Sequence, residues 1–347
     1  MDPLFLGAPV ATPLTFSGHE TFALRSTWLK KAFDVLLDTP DLFFREDAFV
    51  LLGVGKNMAQ SIRYWGRVCG VFERAPDGSR HTITWLGKQL LADDGWDPFL
   101  ATPAASWLLH WQIAARPEAA FTWYYTFNLL KGGEFAPSEL VQQILSFLTE
   151  HAARSETPAL RQAQRTAQRT AQPTAAYRLP SQATLTRDVE CMLNCYLPRF
   201  DRRFDRLSAP HSALPTTREQ SVEDMALCPL TSLNLIQWLP GQNRHRLVSG
   251  RQESLPDALV AYAILKMLQA SKRTTIAFSD LAYAPRSPGR VFRIEEDELL
   301  RRLQRLDEVT DGRAYYTDQA GIRQVAWPNG EEPGVAEFLL DRAFQEM

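Results

Sequence analysis

Between Lys56 and Gly70 two stripes of side chains run at helical spacing and leave this stretch one way to fold. Met58, Ile62, Trp65 and Cys69 recur at i, i+4, i+7 and i+11, an apolar line that a helix satisfies only by packing on a core. Lys56, Gln60, Arg63 and Arg67 repeat the spacing two residues earlier, which on a helix is a rotation of about 200°. Three cations and an amide, with no acid among them, therefore share the side opposite the core.

The flanking residues extend this into a recognisable order. Ser17-Gly-His-Glu20 reads as a capping box opening a helix with Phe22, Leu29, Phe33 and Leu36 on one face. A short helix over about Arg45 to Leu52 stops at Gly53-Val54-Gly55, where glycine permits the positive φ that ends a helix. After the basic helix, Val71 to Arg74 and His81 to Trp85 alternate like strands around Asp77-Gly78, a β-hairpin. Helix, short helix, turn, basic helix and hairpin make a winged helix-turn-helix over 1–95, in which the basic helix enters the major groove.

This reading predicts Lys56, Asn57, Gln60, Ser61, Arg63 and Arg67 on a DNA-reading helix, with Arg74 and Arg80 on the wing. Lys and Arg neutralise phosphate or reach guanine, and Gln or Asn can pair with adenine. The whole chain carries a net charge of -2, which excludes a polybasic coat, yet six cations against two acids give 53–90 a local excess of four. A solvated face used for protein contacts is the alternative. Gly53-Val-Gly-Lys56 is not a phosphate loop, because Val50 and Asn57 stand where glycine and Ser or Thr are required.

The remaining sequence divides by composition. The aromatic residues of 96–150, among them Trp96, Trp107, Trp111, Trp123 and Phe127, read as helical core, with His110 a hydrogen-bonded core residue. In 151–182 the tetrad Ala-Gln-Arg-Thr recurs at 163–166 and 167–170 with few apolar side chains to bury, so this is a linker or exposed insertion, its Arg161, Arg165 and Arg169 four apart. The 183–250 stretch reads as a helical connector. Over 251–347 a helix after Ser254, a helical turn at Phe278 to Leu281, a loop at 286–290, a helix from Glu295 to Leu306 and a hairpin across Asp318 to Gly321 repeat the first order. The fold expected is thus mainly α with small β-hairpin wings (α+β): two winged-helix-like domains plus helical segments.

Glu295-Glu-Asp-Glu298 suits a helix N-terminus better than a metal site. Cys191, Cys195 and Cys228 lack the spacing and fourth ligand of a zinc site, and with Cys69 read as buried free thiols. Pro3, Pro9 and Pro13 interrupt the first apolar run, which has no basic leader; no membrane partner and a cytoplasmic location are expected.

Phe16-Ser-Gly-His-Glu-Thr-Phe22, Arg25, Trp28-Leu-Lys-Lys31, Leu52-Gly-Val-Gly-Lys-Asn-Met58 and Ser61-Ile-Arg-Tyr-Trp65 resemble a bacterial family, long without assigned function, that accompanies DNA phosphorothioation operons of the single-stranded (Ssp) type. Trp107-Leu-Leu-His110, Phe127-Asn128, Asp188-Val189 and Pro229-Leu230 extend the likeness over most of the chain. The resemblance implies a component that engages double-stranded DNA and nicks one strand. It also implies partnership with a cysteine desulfurase, an ATPase-like subunit and an ATP-pyrophosphatase-type subunit, and it allows a homodimer. A non-catalytic winged-helix scaffold for those partners is the alternative. Within the family-like motif His19, Glu20 and Arg25 form the candidate catalytic cluster, although Glu20 as a cap explains its identity without chemistry. No metal ligands are assigned, and magnesium or manganese would be the cofactor only of a nicking reaction.

Overall fold

The structure is a computed structural model that describes residues 14–155, 179–197, 228–329 and 332–346. Arg161, Arg165 and Arg169 lie outside them. The N-terminal part runs α1 (Ser26–Asp38), a 3-10 turn (Leu42–Phe44), α2 (Ala48–Leu51), α3 (Lys56–Val68), β1 (Phe72–Arg74), β2 (His81–Ile83) and α4 (Trp85–Leu91). The central part is α5 (Pro103–Ala114), α6 (Phe121–Tyr124) running into a π turn, β3 (Glu134–Phe135), α7 (Pro137–Ser155), α8 (Gln182–Tyr196), β4 (Ile236–Leu239) and β5 (Arg244–Leu247). The C-terminal part is α9 (Asp257–Ser271), β6 (Thr275–Ala277), α10 (Phe278–Tyr283), α11 (Pro288–Val291), α12 (Glu296–Leu303), α13 (Leu306–Val309), β7 (Tyr315–Gln319), β8 (Ile322–Ala326) and α14 (Val335–Gln345). The described residues form a mixed α+β arrangement of many helices and three small antiparallel sheets, ordered β1-β2, β3-β5-β4 and β6-β8-β7. One connected cluster of buried side chains runs from Leu24 to Ala343 and links all three parts.

The hairpins form where the alternation places them. Phe72 pairs with Ile83 and Arg74 with His81 across β1 and β2, and Gln319 pairs with Ile322 around a turn in which Ala320 and Gly321 both have positive φ. Gly66 is fixed by contact rather than by φ, since an added Cβ would lie 2.1 Å from the Phe72 ring.

Four expectations are corrected. Ser17 and Glu20 do not cap a helix: α1 begins at Ser26, and Ser17, Gly18, Glu20 and Thr21 all have positive φ. This turn is held by tertiary hydrogen bonds to α8 that no local pattern encodes. Trp85 is not a strand residue, because the Thr84 hydroxyl accepts from the Gly87 N–H and starts α4 there. Likewise Ser287 caps α11 inside the expected 286–290 loop. Lastly, 183–250 is not a purely helical connector: Trp238 pairs with His245, and Phe135 of the distant β3 joins on the other side. Arg244-His-Arg-Leu247 does alternate, with His245 and Leu247 buried, so part of that sheet was readable.

The turn at Ser17 to Thr21 is anchored by Asp188 on α8. Its Oδ1 accepts from the Ser17 N–H and lies 2.8 Å from His19 Nε2, while its Oδ2 accepts from the Thr122 hydroxyl. The Thr21 N–H donates to His19 Nδ1, so Nε2 carries the hydrogen that goes to Asp188. A second buried network surrounds His110, whose Nε2–H donates to the Val291 carbonyl and whose Nδ1 accepts from the Tyr196 hydroxyl, joining α5, α8 and α11. The four cysteines are buried free thiols, and burial pushes their pKa upward at Cys69, Cys195 and Cys228. Glu298 is buried against Arg302, which also binds Asp257 and the Leu255 carbonyl, so this acid neutralises an internal cation.

Removing Asp188 leaves three donors without their acceptor, the buried His19 and Thr122 among them. Asp188→Ala should therefore lower stability by about 3 kcal/mol, read as a drop in denaturation midpoint, and an unchanged midpoint would refute the anchoring role. Burial also holds the His110 pKa down at about 4, so its unfolded form binds a proton first as pH falls. The stability it contributes is complete above about 6.5 and is lost progressively toward pH 4, by up to roughly 3 kcal/mol. His110→Gln should flatten the pH dependence of unfolding across that window relative to the unsubstituted chain.

Candidate nucleic-acid interface

The geometry of α3 follows from which of its residues the core accepts. Ala59, Ser61, Ile62, Trp65, Gly66 and Val68 are buried. Trp65 is wholly buried, donates its indole N–H to the Phe22 carbonyl and packs edge-to-face on Trp123 with ring centroids 5.6 Å apart. That pins one side of the helix to the Ser17–Phe22 segment and to α6. Lys56, Asn57, Gln60, Arg63 and Arg67 are all exposed on the other side.

Ser61 is the exception among the residues expected to touch DNA. It is fully buried, and its hydroxyl meets no hydrogen-bond partner. Packing against both α1 and the hairpin widens the buried face of α3 beyond the single stripe and takes in position 61. Arg80, in the β1–β2 turn, is exposed. Arg74 is exposed too, but its guanidinium donates twice to the Gly78 carbonyl and lies 5.4 Å from the Phe44 ring, so it also braces the hairpin.

Among the described residues no carboxylate lies within 4 Å of Lys56, Arg63, Arg67 or Arg80. The field of this face is visible at His81, whose ring packs against Phe43, Phe44 and Phe72. Burial first, and then Arg67, Arg63 and Arg74, lower its pKa to about 4. A groove of about 540 Å³ runs beside α3, where Arg45, Lys56 and Arg63 outnumber its one acid, Glu46, and Phe43 and Phe49 complete the wall. Arg45, which the sequence pattern did not single out, joins the face while paired with Asp47 at 2.9 Å. Its signal was weak, a lone cation after two phenylalanines outside the helical repeat.

Of the candidate catalytic residues His19, Glu20 and Arg25, the first is enclosed. His19 is 1% exposed with both ring nitrogens engaged, so it has no edge to offer a phosphodiester. Glu20 is half-buried in the turn, and Arg25 precedes α1 with its guanidinium 4.7 Å from the Trp28 ring. Among the described residues no group of three His, Cys, Asp or Glu side chains is placed to hold a metal ion, and no helix is long and apolar enough to cross a membrane.

Two solved structures share the fold. A crystal structure of SspB matches with a TM-score of 0.74 and 28% sequence identity, covering 95% of this chain and 88% of that one. A magnesium ion-bound crystal structure of SspB matches with a TM-score of 0.70 and 25% identity over 96% of this chain and 97% of the other. No curated protein matches the chain. The model of the protein family of unknown function DUF4007 matches residues 16–163 and 159–344, nearly the whole length, and the chain belongs to that family.

Proposed function

We propose that this protein is the DNA-engaging component of a phosphorothioate modification system and that α3 is the element it lays on the duplex. The observation that carries the reading is the exposed face of Lys56, Asn57, Gln60, Arg63 and Arg67, with no described carboxylate within 4 Å of its three cations and the reverse side of the helix locked into the core. The motif resemblance to the Ssp-type family and the structural similarity to SspB support the system; the charge supports the ligand. In this reading α1, α2, α3 and the β1–β2 hairpin form one winged helix. The order α9, β6, α10, α12, β7, β8, with its β6-β8-β7 sheet, forms a second. Arg63 and Arg67 serve as phosphate or guanine contacts, Asn57 and Gln60 as candidate base readers, and Arg80 as a wing contact. The modification partners would be the cysteine desulfurase, the ATPase-like subunit and the ATP-pyrophosphatase-type subunit.

His19 is enclosed and holds a turn in place, which argues against its acting on a phosphodiester. The magnesium ion belongs to the SspB structure. A second reading, docking of a partner protein on the same side, is favoured by Phe44, Val50 and Leu51, which are exposed around α2, Val50 to 64%.

Arg63→Glu combined with Arg67→Glu should weaken duplex binding by about tenfold or more in a mobility-shift titration, with the unfolding midpoint unchanged because both side chains are solvated. Unchanged binding would overturn the proposal. In a salt series the doubly substituted chain should also show a log K versus log [salt] slope shallower by about two, one for each phosphate that is no longer neutralised. An equal slope would move Arg63 and Arg67 off the phosphate backbone and favour the partner-protein reading.

A further inference from the structure

A cavity of about 550 Å³ lies between α5 and α9, with Trp111, Gln112, Arg116, Tyr262, Lys266 and Met267 in its wall. Trp111 and Tyr262 set their rings at 75° with centroids 6.5 Å apart, and Ala270 and Met267 continue an apolar surface beside them. Arg273 and Arg286 also line the space, so four cations face two acids, Glu118 and Asp280. Glu118 is 3.7 Å from Arg286.

Two of these cations are partly withdrawn from water and make no direct ion pair, Glu337 acting on Lys266 and Glu118 on Arg116 only through space. Lys266 lies 5.2 Å from the Tyr262 ring, and its Nζ is 3.3 Å from the Gln269 side-chain oxygen. The Arg116 guanidinium donates to the carbonyls of Gln112 and Val68. Among the described residues neither has a carboxylate within 4 Å. Burial lowers the pKa of both, which is the cost of keeping charge in a poorly solvated place. An anionic ligand would offset that cost. The excess of two positive charges over acids matches a phosphate monoester, of charge about -1.5 to -2, better than a single carboxylate. The aromatic wall asks for a flat ring on the same molecule, and the volume falls in the range of about 300–1,000 Å³ usual for small-ligand sites.

We propose that this cavity binds a nucleoside monophosphate, its base against Trp111 and Tyr262 and its phosphate toward Lys266 and Arg116. The site does not depend on the α3 reading. Isothermal titration of the full chain with AMP, GMP, CMP and UMP in turn, in the absence of DNA, tests it, so its failure is separable from failure of the DNA proposal. At least one monophosphate should bind with Kd below about 1 mM, and inorganic phosphate and the corresponding nucleoside should each bind at least about tenfold more weakly. Lys266→Met, which removes the charge, and Ala270→Phe, which fills the space, should each weaken nucleotide binding by about tenfold or more. Lys266 is only half-buried, so its variant keeps the test valid if Ala270→Phe fails to fold. Arg116 is left intact because it also holds the end of α3. No binding by any of the four, binding unaffected by Lys266→Met, or inorganic phosphate binding as tightly as the nucleotide would overturn the proposal.

Discussion

The burial of Trp65 orients everything on the N-terminal face. Its indole is fully enclosed, hydrogen-bonded to the Phe22 carbonyl and packed on Trp123, so α3 is tied near its C-terminal end to the entry turn and to the central helices. A tryptophan buried in this way commits a large apolar area and one donor to a single orientation. Once that orientation is fixed, helical geometry alone turns Arg63 and Arg67 to solvent.

The entry turn depends on the same region from the other side. Its run of positive φ values is strained for residues with side chains, and it persists because Asp188 accepts from Ser17, His19 and Thr122 together. His19 thus belongs to the support of Trp65 and α3. A family-like motif containing His, Glu and Arg invites a catalytic interpretation, but here the motif's most reactive side chain is occupied in holding backbone in an uncommon conformation.

Electrostatic contrast separates the two halves of the molecule. Around α12, cations are met by acids: Arg302 is enclosed by Glu298, Asp257 and three backbone carbonyls. On α3 the cations are exposed and lack such partners, and their field reaches a buried histidine in the hairpin. Uncompensated charge on a solvated helix attracts polyanions, whereas compensated charge serves cohesion. The cavity between α5 and α9 stands between these cases, since Arg116 and Lys266 in its wall are partly withdrawn from water and cations outnumber acids around it.

Much of the local structure was legible in the residues themselves: the period of Met58, Ile62, Trp65 and Cys69, the alternation in both hairpins, and the acidic start of α12 specify their elements through nearest-neighbour geometry. The outward cationic face was legible for the same reason, since a two-residue offset on a helix needs no knowledge of the rest of the chain. Tertiary structure decided the remainder. Ser61 is buried because two neighbouring elements pack on α3, and Phe135 joins a sheet with strands more than a hundred residues away. Ser17 and Glu20 form a turn because an aspartate on α8 satisfies it. Those outcomes rest on contacts between residues distant in sequence, where hydrogen-bond satisfaction and enclosure outweigh local propensity, and a single chain of letters carries no distance between them.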